Sequence, residues 1–315
     1  MIERRVVRFK HDLLRDIEHP AFEAHGAKDG PKLALIAGIH GCEYSSIAAV
    51  TRVMRDLDAS RLAGSILAVP VVSMQSYERR SAFVVPEDGK NLNRSFPGSA
   101  TGTFTDALGR SIFDELIAPA DVLLDLHGGD LVEALEPFSI YEASDVEDAA
   151  HGIATAFGLP YVVREQRQDG GLSGMTASAA AAAGIPAVIA EAGGCGQLDE
   201  GAVRLLADGV VNVLRHLEML PGEPTPPSRP IRRVDSFLWV RCASAGWWEA
   251  AVGAGDEVAE GAIVGHVKNL WGDVLEEIRA PQEGVVLFLT TSPAVGDNGL
   301  LLGLGADLIP VDSAA

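Results

Sequence analysis

The feature that most constrains the fold is a repeated pairing of a short apolar run with a stretch of helical periodicity. The first pair joins the apolar run Lys32–Gly38 to the segment Tyr44–Leu57, where apolar residues recur at helical spacing. Strands that are apolar along their whole length are buried on both faces, as in a sheet that helices cover on both sides. The pattern therefore predicts an α/β fold with a central sheet flanked by helices.

The same alternation continues through the first two thirds of the chain. Further strands are predicted at Ser65–Val72, Asp121–Leu126, Pro137–Tyr141 and Ala187–Ala190. Further helices are predicted at Phe104–Leu116, Val146–Phe157, Met175–Ala183 and Glu200–Leu217. Several of the strands are followed by ionisable residues and glycines. Their carboxyl ends are of interest because open α/β sheets bind ligands at that edge.

The pattern changes after a proline-rich segment, residues 221–230, which holds five prolines in ten positions. Such a segment is typical of a linker or of a stiff crossover connection. Beyond it, Phe237–Gly305 is predicted to form short strands joined by Gly-Asp and Asp-Asn-Gly turns, without helical periodicity. We therefore predict two domains, an α/β domain over residues 1–222 and a smaller all-β barrel or sandwich over residues 231–315.

Charge excludes several kinds of partner. The chain has 315 residues, with 25 lysines and arginines against 44 aspartates and glutamates, and its net charge is −19. Such a chain lacks the basic surface that nucleic acid or an anionic membrane attracts, so neither is expected as a partner. The N-terminal residues lack the apolar stretch of a secretion signal, no apolar run is long enough to span a bilayer, and the three cysteines are widely spaced. We therefore expect a cytoplasmic protein.

Two histidine motifs follow predicted strands. The first, Gly38-Ile-His-Gly-Cys-Glu43, offers His40 and Glu43, and the second, Asp125-Leu-His-Gly-Gly129, offers His127. Taken alone, the first could be a loop without function and His127 a core histidine. However, of the eight histidines, His40 and His127 are the two that directly follow a strand and precede glycine. Two imidazoles and a carboxylate, with one position left for water, predict a catalytic metal site. Asp125 is placed to accept the other imidazole N–H of a ligating histidine.

A third strand ends at Glu191, which is followed by Ala-Gly-Gly. A carboxylate at that position could be a solvated strand end. It could also take a proton from a metal-activated water and later give it to a leaving nitrogen. We prefer the second interpretation and predict that Glu191 is the general base.

A polar loop, Pro86–Gly98, supplies candidates for substrate binding. Asn93 and Arg94 offer an amide and a planar guanidinium that suit a substrate carboxylate. Arg79 and Arg80 come shortly before the loop, and a separate arginine near the metal could hold an oxyanion. An exposed surface loop is the alternative for this segment.

These motifs together resemble a known family. G-x-H-G-x-E, N-L-N-R-x-F-P-G, D-L-H-G and E-x-G-G follow one another in the order seen in the succinylglutamate desuccinylase/aspartoacylase group, which belongs to the zinc carboxypeptidase clan. The resemblance covers roughly residues 30–305. It implies a mixed central sheet and one Zn²⁺ per chain.

The resemblance also implies roles for single residues. Zinc is expected on His40, Glu43 and His127, with Glu191 as general base and acid. Asn93 and Arg94 are expected to bind the substrate carboxylate. The oxyanion arginine is assigned to Arg80, with Arg79 as the alternative. The implied enzyme is a zinc-dependent amidohydrolase that cleaves the amide bond of a small N-acyl amino acid, a bond other than a peptide bond, by attack of a zinc-bound water.

The chain also departs from the family pattern. Members that act on acidic substrates carry a further arginine shortly before the catalytic glutamate, where this chain has Ala179–Ala183; Arg164 and Arg167 lie nearby at another spacing. This departure counts against N-acetylaspartate and N-succinylglutamate and makes a substrate with one carboxylate, such as an N-acetylated neutral or diamino acid, at least an equal alternative. The C-terminal domain resembles biotinyl and lipoyl carriers, yet no lysine occupies the modified hairpin, so it is expected to shape access to the zinc site.

Other functions remain open at this stage. A metallocarboxypeptidase that trims a peptide or modified peptide would use the same residues to bind a C-terminal carboxylate. A binding module with a vestigial site is a third hypothesis, although none of the residues that the chemistry needs is missing. Association into a homo-oligomer is left open.

Overall fold

The computed structural model describes residues 1–166 and 174–311, and all statements below concern this part of the chain. It contains seventeen β-strands and six α-helices. The strands are β1 (Ile2–Val7), β2 (His19–His25), β3 (Lys28–Ala37), β4 (Ala63–Val69), β5 (Val122–His127), β6 (Glu133–Leu135), β7 (Phe138–Glu142), β8 (Tyr161–Glu165), β9 (Ala187–Glu191), β10 (Arg232–Arg241), β11 (Gly246–Ala250), β12 (Glu257–Val258), β13 (Ile263–Lys268), β14 (Val274–Arg279), β15 (Gly284–Thr290), β16 (Ala294–Val295) and β17 (Leu300–Pro310). The helices are α1 (Tyr44–Asp56), α2 (Met74–Arg79), α3 (Phe104–Ile112), α4 (Glu147–Phe157), α5 (Thr176–Ala182) and α6 (Glu200–His216).

A mixed sheet forms the centre of the molecule. Its strand order is β1-β2-β4-β3-β5-β9-β7-β8-β10-β17-β15-β12, and β6 joins it by pairing with β15. Strands β4, β3, β5 and β9 are parallel to one another, whereas β7 is antiparallel to β9. The expected α/β fold with helices around a mixed sheet is therefore confirmed.

Helices cover both faces of this sheet. The apolar side chains of α1, α4 and α6 are buried with one face of the sheet, and those of α3 and α5 with the other. The sequence of α6 favours a helix because its apolar residues recur on one side. Four of them are completely buried: Val203, Leu206, Val210 and Val213. Asp199 caps its first turn, since its Oδ1 accepts a hydrogen bond from Ala202 N at 2.6 Å.

The C-terminal part extends the central sheet and adds a second one. Strand β10 pairs in parallel with β8 and antiparallel with β17. A separate antiparallel sheet has the order β14-β13-β11-β16. Short strands were expected from Phe237 onwards, but β10 has 10 residues and begins at Arg232, and β17 has 11 residues. The domain boundary between residues 222 and 231 stays a prediction.

Each of the five strands and five helices predicted in the first two thirds overlaps an observed element. The predicted helix Phe104–Leu116 ends at Ile112 and continues as a π-helical turn, Phe113–Ile117. Within the described residues, no helix is both long and apolar enough to cross a membrane. Arg167 lies outside the described residues.

Candidate active site

The proposed site lies where three neighbouring parallel strands end. His40 and Glu43 are in the loop after β3, His127 is the last residue of β5, and Glu191 is the last residue of β9. These strands are adjacent in the order β3-β5-β9, and the register places His127 directly opposite Glu191. Residues that are about 150 positions apart in the sequence therefore meet at one edge of the sheet, which is where this fold class binds ligands.

Glycines allow the loop after β3 to turn back into the site. Gly38 adopts a φ of 65°, a left-handed conformation that favours glycine. Gly41 lies against helix α2, where a Cβ atom would be 2.1 Å from the backbone nitrogen of Tyr77. Any larger residue there would push the loop away from α2, and the loop carries both His40 and Glu43.

His40, Glu43 and His127 form a compact cluster. Their candidate ligand atoms all lie within 4.8 Å of one another. Glu43 Oε1 is 2.6 Å from His40 Nδ1, and Glu43 Oε2 is 3.0 Å from His127 Nδ1. Glu43 and His127 are buried, and the two imidazole rings meet edge to face with centroids 5.3 Å apart. Such a cluster could bind a metal ion.

The outward nitrogen of each imidazole is also held. His40 Nε2 is 3.1 Å from Asn91 Oδ1. His127 Nε2 is 3.1 Å from Asp125 Oδ2, an oxygen that also accepts a hydrogen bond from Thr176 Oγ1 at 2.6 Å. When Nε2–H donates to these oxygens, the Nδ1 lone pair of each ring faces the centre of the cluster. This arrangement of outer acceptors is typical of metal-binding histidines.

The electrostatics of the cluster favour a bound positive charge. Burial by itself would raise the pKa of Glu43, but the facing imidazoles of His127 and His40 hold that pKa well below its usual range. Burial opposes protonation of the two histidines, yet the neighbouring carboxylates outweigh it and raise the pKa of both. A divalent cation would supply the same positive charge, and two nitrogens with one carboxylate oxygen suit zinc.

Glu191 and Arg94 both line the cavity beside the cluster. The cavity has a volume of ≈ 770 Å³ and is lined by His40, Glu43 and His127 as well. Burial raises the pKa of Glu191 well above the usual carboxyl range; His127 opposes this shift, and the charge of Glu43 adds to it. Burial also lowers the pKa of Arg94, against the opposing charges of nearby carboxylates.

Asn93 lies beside Arg94 and is also part of the cavity lining. Its Oδ1 accepts a hydrogen bond from Thr176 N at 3.1 Å, and its carbonyl oxygen accepts one from Arg94 Nη1 at 2.7 Å. The first bond fixes the amide so that its oxygen is used internally. The Nδ2 donors of Asn93 are then the atoms that remain to meet a ligand.

Arg80 does not line the cavity. It is exposed, follows the last residue of α2 and adopts a φ of 51°, whereas Arg79 pairs with Glu87 at 3.2 Å. Among the described residues that line the cavity, the arginines are Arg94 and Arg241. The oxyanion role of Arg80 stays a prediction.

The sequence reasoning missed several residues of the cavity wall. Glu133 comes from β6, and Phe237, Trp239 and Arg241 come from β10. The last three occupy every second position of one strand, so they share a face. That alternation could have indicated a functional face of β10, but the sequence does not show that this face lines the cavity.

Comparisons with known proteins agree with this picture. The model of the succinylglutamate desuccinylase/aspartoacylase catalytic domain matches residues 29–217. The N-alpha-acetyl-L-2,4-diaminobutyric acid deacetylase of Halomonas elongata is 30% identical over 268 residues, which cover 82% of this chain and 77% of that protein.

Solved structures share the fold. The succinylglutamate desuccinylase/aspartoacylase of Rhodobacter sphaeroides superposes with a TM-score of 0.85 at 24% identity, covering 99% of this chain and 96% of the other. The product-bound ectoine utilization protein EutE of Ruegeria pomeroyi also gives a TM-score of 0.85 at 24% identity, with coverage of 97% and 95%. At this level of identity the two structures show a shared fold.

Proposed function

The chain belongs to the succinylglutamate desuccinylase/aspartoacylase family, and on that basis we propose that it is a zinc-dependent hydrolase that removes the acyl group from an N-acyl amino acid. The observation that carries the proposal is the convergence of His40, Glu43 and His127 beside Glu191 in one cavity. The named activity of the Halomonas elongata relative, a deacetylase, supports the same reaction class.

Each residue of the site has a task in amide hydrolysis. Zinc held by His40, Glu43 and His127 would polarise the amide carbonyl and lower the pKa of a nearby water. Glu191 accepts the proton of the attacking water on a carboxylate oxygen. It then donates that proton to the amide nitrogen, so that the amine can leave. The raised pKa of Glu191 suits the second step, because a carboxyl group of ordinary pKa would not hold the proton near neutral pH long enough to donate it.

Arg94 and Asn93 are proposed to hold the substrate carboxylate. The guanidinium of Arg94 can donate two parallel hydrogen bonds, and the Asn93 amide a third. Arg80 remains the proposed oxyanion group. Because Arg80 is exposed, this role requires its side chain to move inward when the substrate binds.

We propose an N-acetylated substrate with a single carboxylate. The stretch Ala179–Ala183 offers no second cation beside Arg94, and the related deacetylase is named for a diamino acid derivative. The first probe is therefore Nα-acetyl-L-2,4-diaminobutyrate.

The test is a release assay with the zinc-loaded protein. N-acetyl, N-succinyl and N-formyl derivatives of several amino acids are offered in parallel, and the free amino acid is measured. We expect the N-acetyl derivatives with one carboxylate to be cleaved fastest. The same preparation treated with a chelator is the control and should be inactive. A zinc-replete protein that cleaves no member of the panel would refute the proposal.

A metallocarboxypeptidase is the alternative, because Arg94 and Asn93 would bind a peptide C-terminus equally well. Product analysis separates the two activities. Only a carboxypeptidase releases the carboxylate-bearing residue from an extended peptide.

A further inference from the structure

Glu133 is an acidic side chain of the cavity that the hydrolysis does not use. It lies on β6, which pairs antiparallel with β15 so that Glu133 is opposite Thr290 and Leu135 is opposite Phe288. All four residues line the cavity, so this face of the two-stranded pair is part of its wall. Phe288 is therefore a diagonal neighbour of Glu133, at a separation of about 7–8 Å.

The backbone of Glu133 is fixed by the loops of the active site. A Cβ atom on Gly129 would lie 2.3 Å from the carbonyl oxygen of Glu133, and one on Gly194 would lie 2.1 Å from it. Cys195 N donates a hydrogen bond to the same oxygen at 2.9 Å. Because Gly129 is two residues after His127 and Gly194 is three residues after Glu191, the position of Glu133 is tied to that of the catalytic groups.

The Glu133 carboxyl group is not paired with a cationic side chain of the described residues. Its hydrogen-bond donor is Asp130 N at 3.3 Å, and within the described residues no lysine, arginine or histidine nitrogen lies within ion-pair distance. Burial raises the pKa of Glu133 to about 7. Without a cation beside it, this partly buried carboxyl group is shifted toward its neutral form, whereas a cationic ligand would favour the ionised form and pair with it.

Aromatic rings form the wall next to Glu133. Trp239 contacts Phe237 and Phe288, with ring centroids 5.1 and 5.4 Å apart. Gly303 lies between the strands that carry Trp239 and Phe288, and its missing side chain leaves room for the rings. We call Phe237, Trp239 and Phe288 the aromatic wall. Aromatic faces attract cations through their quadrupole.

We propose that Glu133 and the aromatic wall form a subsite for the free side-chain ammonium group of the substrate. This rests on the proposed function, because it assumes that Arg94 holds the carboxylate and the metal cluster the acyl amide. The class of substrate is then an Nα-acylated diamino acid, whose cation lies opposite its carboxylate. The protein discriminates against neutral side chains, because they leave Glu133 buried without a partner.

Arg241 offers a competing arrangement. It also lines the cavity, and its Nη1 donates to the carbonyl oxygen of Asn298 at 3.0 Å. If Arg241 instead bound a second carboxylate, the preferred substrate would be an N-acyl dicarboxylic amino acid. The substrate panel distinguishes the two arrangements.

The experiment compares three substrates with the zinc-loaded enzyme: the Nα-acetyl derivatives of L-2,4-diaminobutyrate, of L-norvaline and of L-aspartate. Norvaline replaces the ammonium group by a methyl group of similar size. We expect wild type to prefer the diaminobutyrate derivative in kcat/KM. Glu133→Gln, which keeps the shape, should lower kcat/KM for that substrate about 10- to 100-fold, mainly through KM, and change the value for the norvaline derivative by less than about 3-fold.

Two further variants complete the design. Trp239→Leu should lower kcat/KM for the cationic substrate about 3- to 10-fold and spare the neutral one. Glu136→Gln is the matched control, since Glu136 is three residues from Glu133 but pairs with Arg229, and it should leave the substrate ratio unchanged.

The outcomes separate the subsite from the function. If Glu133→Gln lowers kcat/KM equally for the cationic and the neutral substrate, or lowers it for neither, the subsite is overturned while the deacylase function stands. A wild-type preference for the aspartate derivative would overturn the subsite in favour of Arg241. If wild type cleaves none of the three, the proposed function itself fails, and the subsite fails with it.

Discussion

At the scale of the residue, two partly buried carboxyl groups in one cavity have different proposed tasks. Glu191 is opposite His127 at the end of β9, where it is proposed to exchange a proton during each turnover. Glu133 is on β6, outside the three-residue cluster, and is proposed to pair with a cation of the substrate. Burial raises the pKa of both, so the difference between them lies in what each one faces.

Glu191→Gln should retain zinc and lose turnover. The amide keeps the size of the side chain but cannot accept a proton, so we expect kcat to fall about 100- to 10,000-fold. Metal analysis of the purified variant should still give one zinc per chain. A variant with wild-type kcat would refute the assignment of Glu191 as the base.

Asp125→Asn should weaken zinc binding. Asp125 Oδ2 accepts hydrogen bonds from His127 and Thr176, and the loss of its charge makes the imidazole a poorer ligand. We expect zinc affinity to fall about 10- to 100-fold in a competition titration with a chelator. His151→Ala, a histidine of helix α4, is the control and should bind zinc as wild type does. Equal affinity in Asp125→Asn and wild type would contradict the role of Asp125.

His19 should make stability depend on pH. It is completely buried, its Nε2 has no hydrogen-bond partner, and burial lowers its pKa although the carbonyl of Val71 opposes the shift. In the unfolded chain His19 binds a proton as the pH falls through about 6.5, whereas in the folded protein it stays neutral at that pH. The stabilising contribution is therefore present above pH 6.5 and is lost as the pH falls through it, with a slope of up to about 1.4 kcal/mol per pH unit.

The measurement is the free energy of unfolding in urea between pH 7.5 and 5.5 for wild type and His19→Gln. Other groups titrate equally in both proteins, so their contribution cancels in the difference. We expect the difference in free energy of unfolding between wild type and His19→Gln to become smaller at low pH. Parallel curves would show that His19 does not titrate in this range.

At the scale of the element, the buried strands were predictable and the edge strands were not. Strands β3, β5 and β9 are apolar runs in the sequence because both of their faces are covered. Strand β1 lies at the edge of the sheet, and four of its six residues are exposed. Its sequence therefore lacks the apolar pattern that indicates a strand, and the pairing of β8 with β10 depends on contacts between distant segments.

The site residues that could be predicted are those that belong to local sequence motifs. The candidate metal cluster was predicted from short motifs, because His40 and Glu43 belong to the glycine-containing segment after one strand and His127 precedes glycines at the end of another. Glu133 and Trp239 carry no such local signal. They reach the cavity through the pairing of β6 with β15 and of β10 with β17, a register that the local sequence does not specify.

Gly303→Ala should destabilise the protein. A Cβ atom there would lie 2.3 Å from the Phe288 ring and 2.6 Å from the Phe237 ring, so both rings would have to shift. We expect the free energy of unfolding to fall by about 1–3 kcal/mol in urea. Gly296→Ala is the matched control, because its Cβ would meet no atom within 4 Å. A Gly303→Ala protein as stable as this control would argue against tight packing of the aromatic wall.

At the scale of the whole molecule, the net charge of −19 contrasts with a cavity that is proposed to bind a small charged substrate. Arg94 and Arg241 provide positive charge in the lining of that cavity. A small anion therefore meets a repelling outer field before it reaches an attracting site. A ligand that carries both signs of charge avoids most of this repulsion.

Salt should consequently affect ligands differently. Raising the ionic strength from about 0.02 to 0.2 M screens the outer field. We expect Nα-acetyl-L-aspartate, measured as a substrate or as a competitive inhibitor, to bind several-fold better at the higher salt. The diaminobutyrate derivative has no net charge and should change by less than about 2-fold. Identical salt dependence for both compounds would show that the outer field does not matter to binding.

The direct pairing of His127 with Glu191 across β5 and β9 has a genetic consequence. The backbone ladder sets the spacing of these two side chains, so exchanging neighbours such as Val188 or Ile189 for residues of similar size leaves the spacing intact. Deleting a single codon from β9 would instead turn Glu191 to the opposite face of the sheet. Such a gene would encode a protein that keeps its histidines and lacks its proposed base, whereas substitutions of similar size in the same strand would leave the two side chains facing each other.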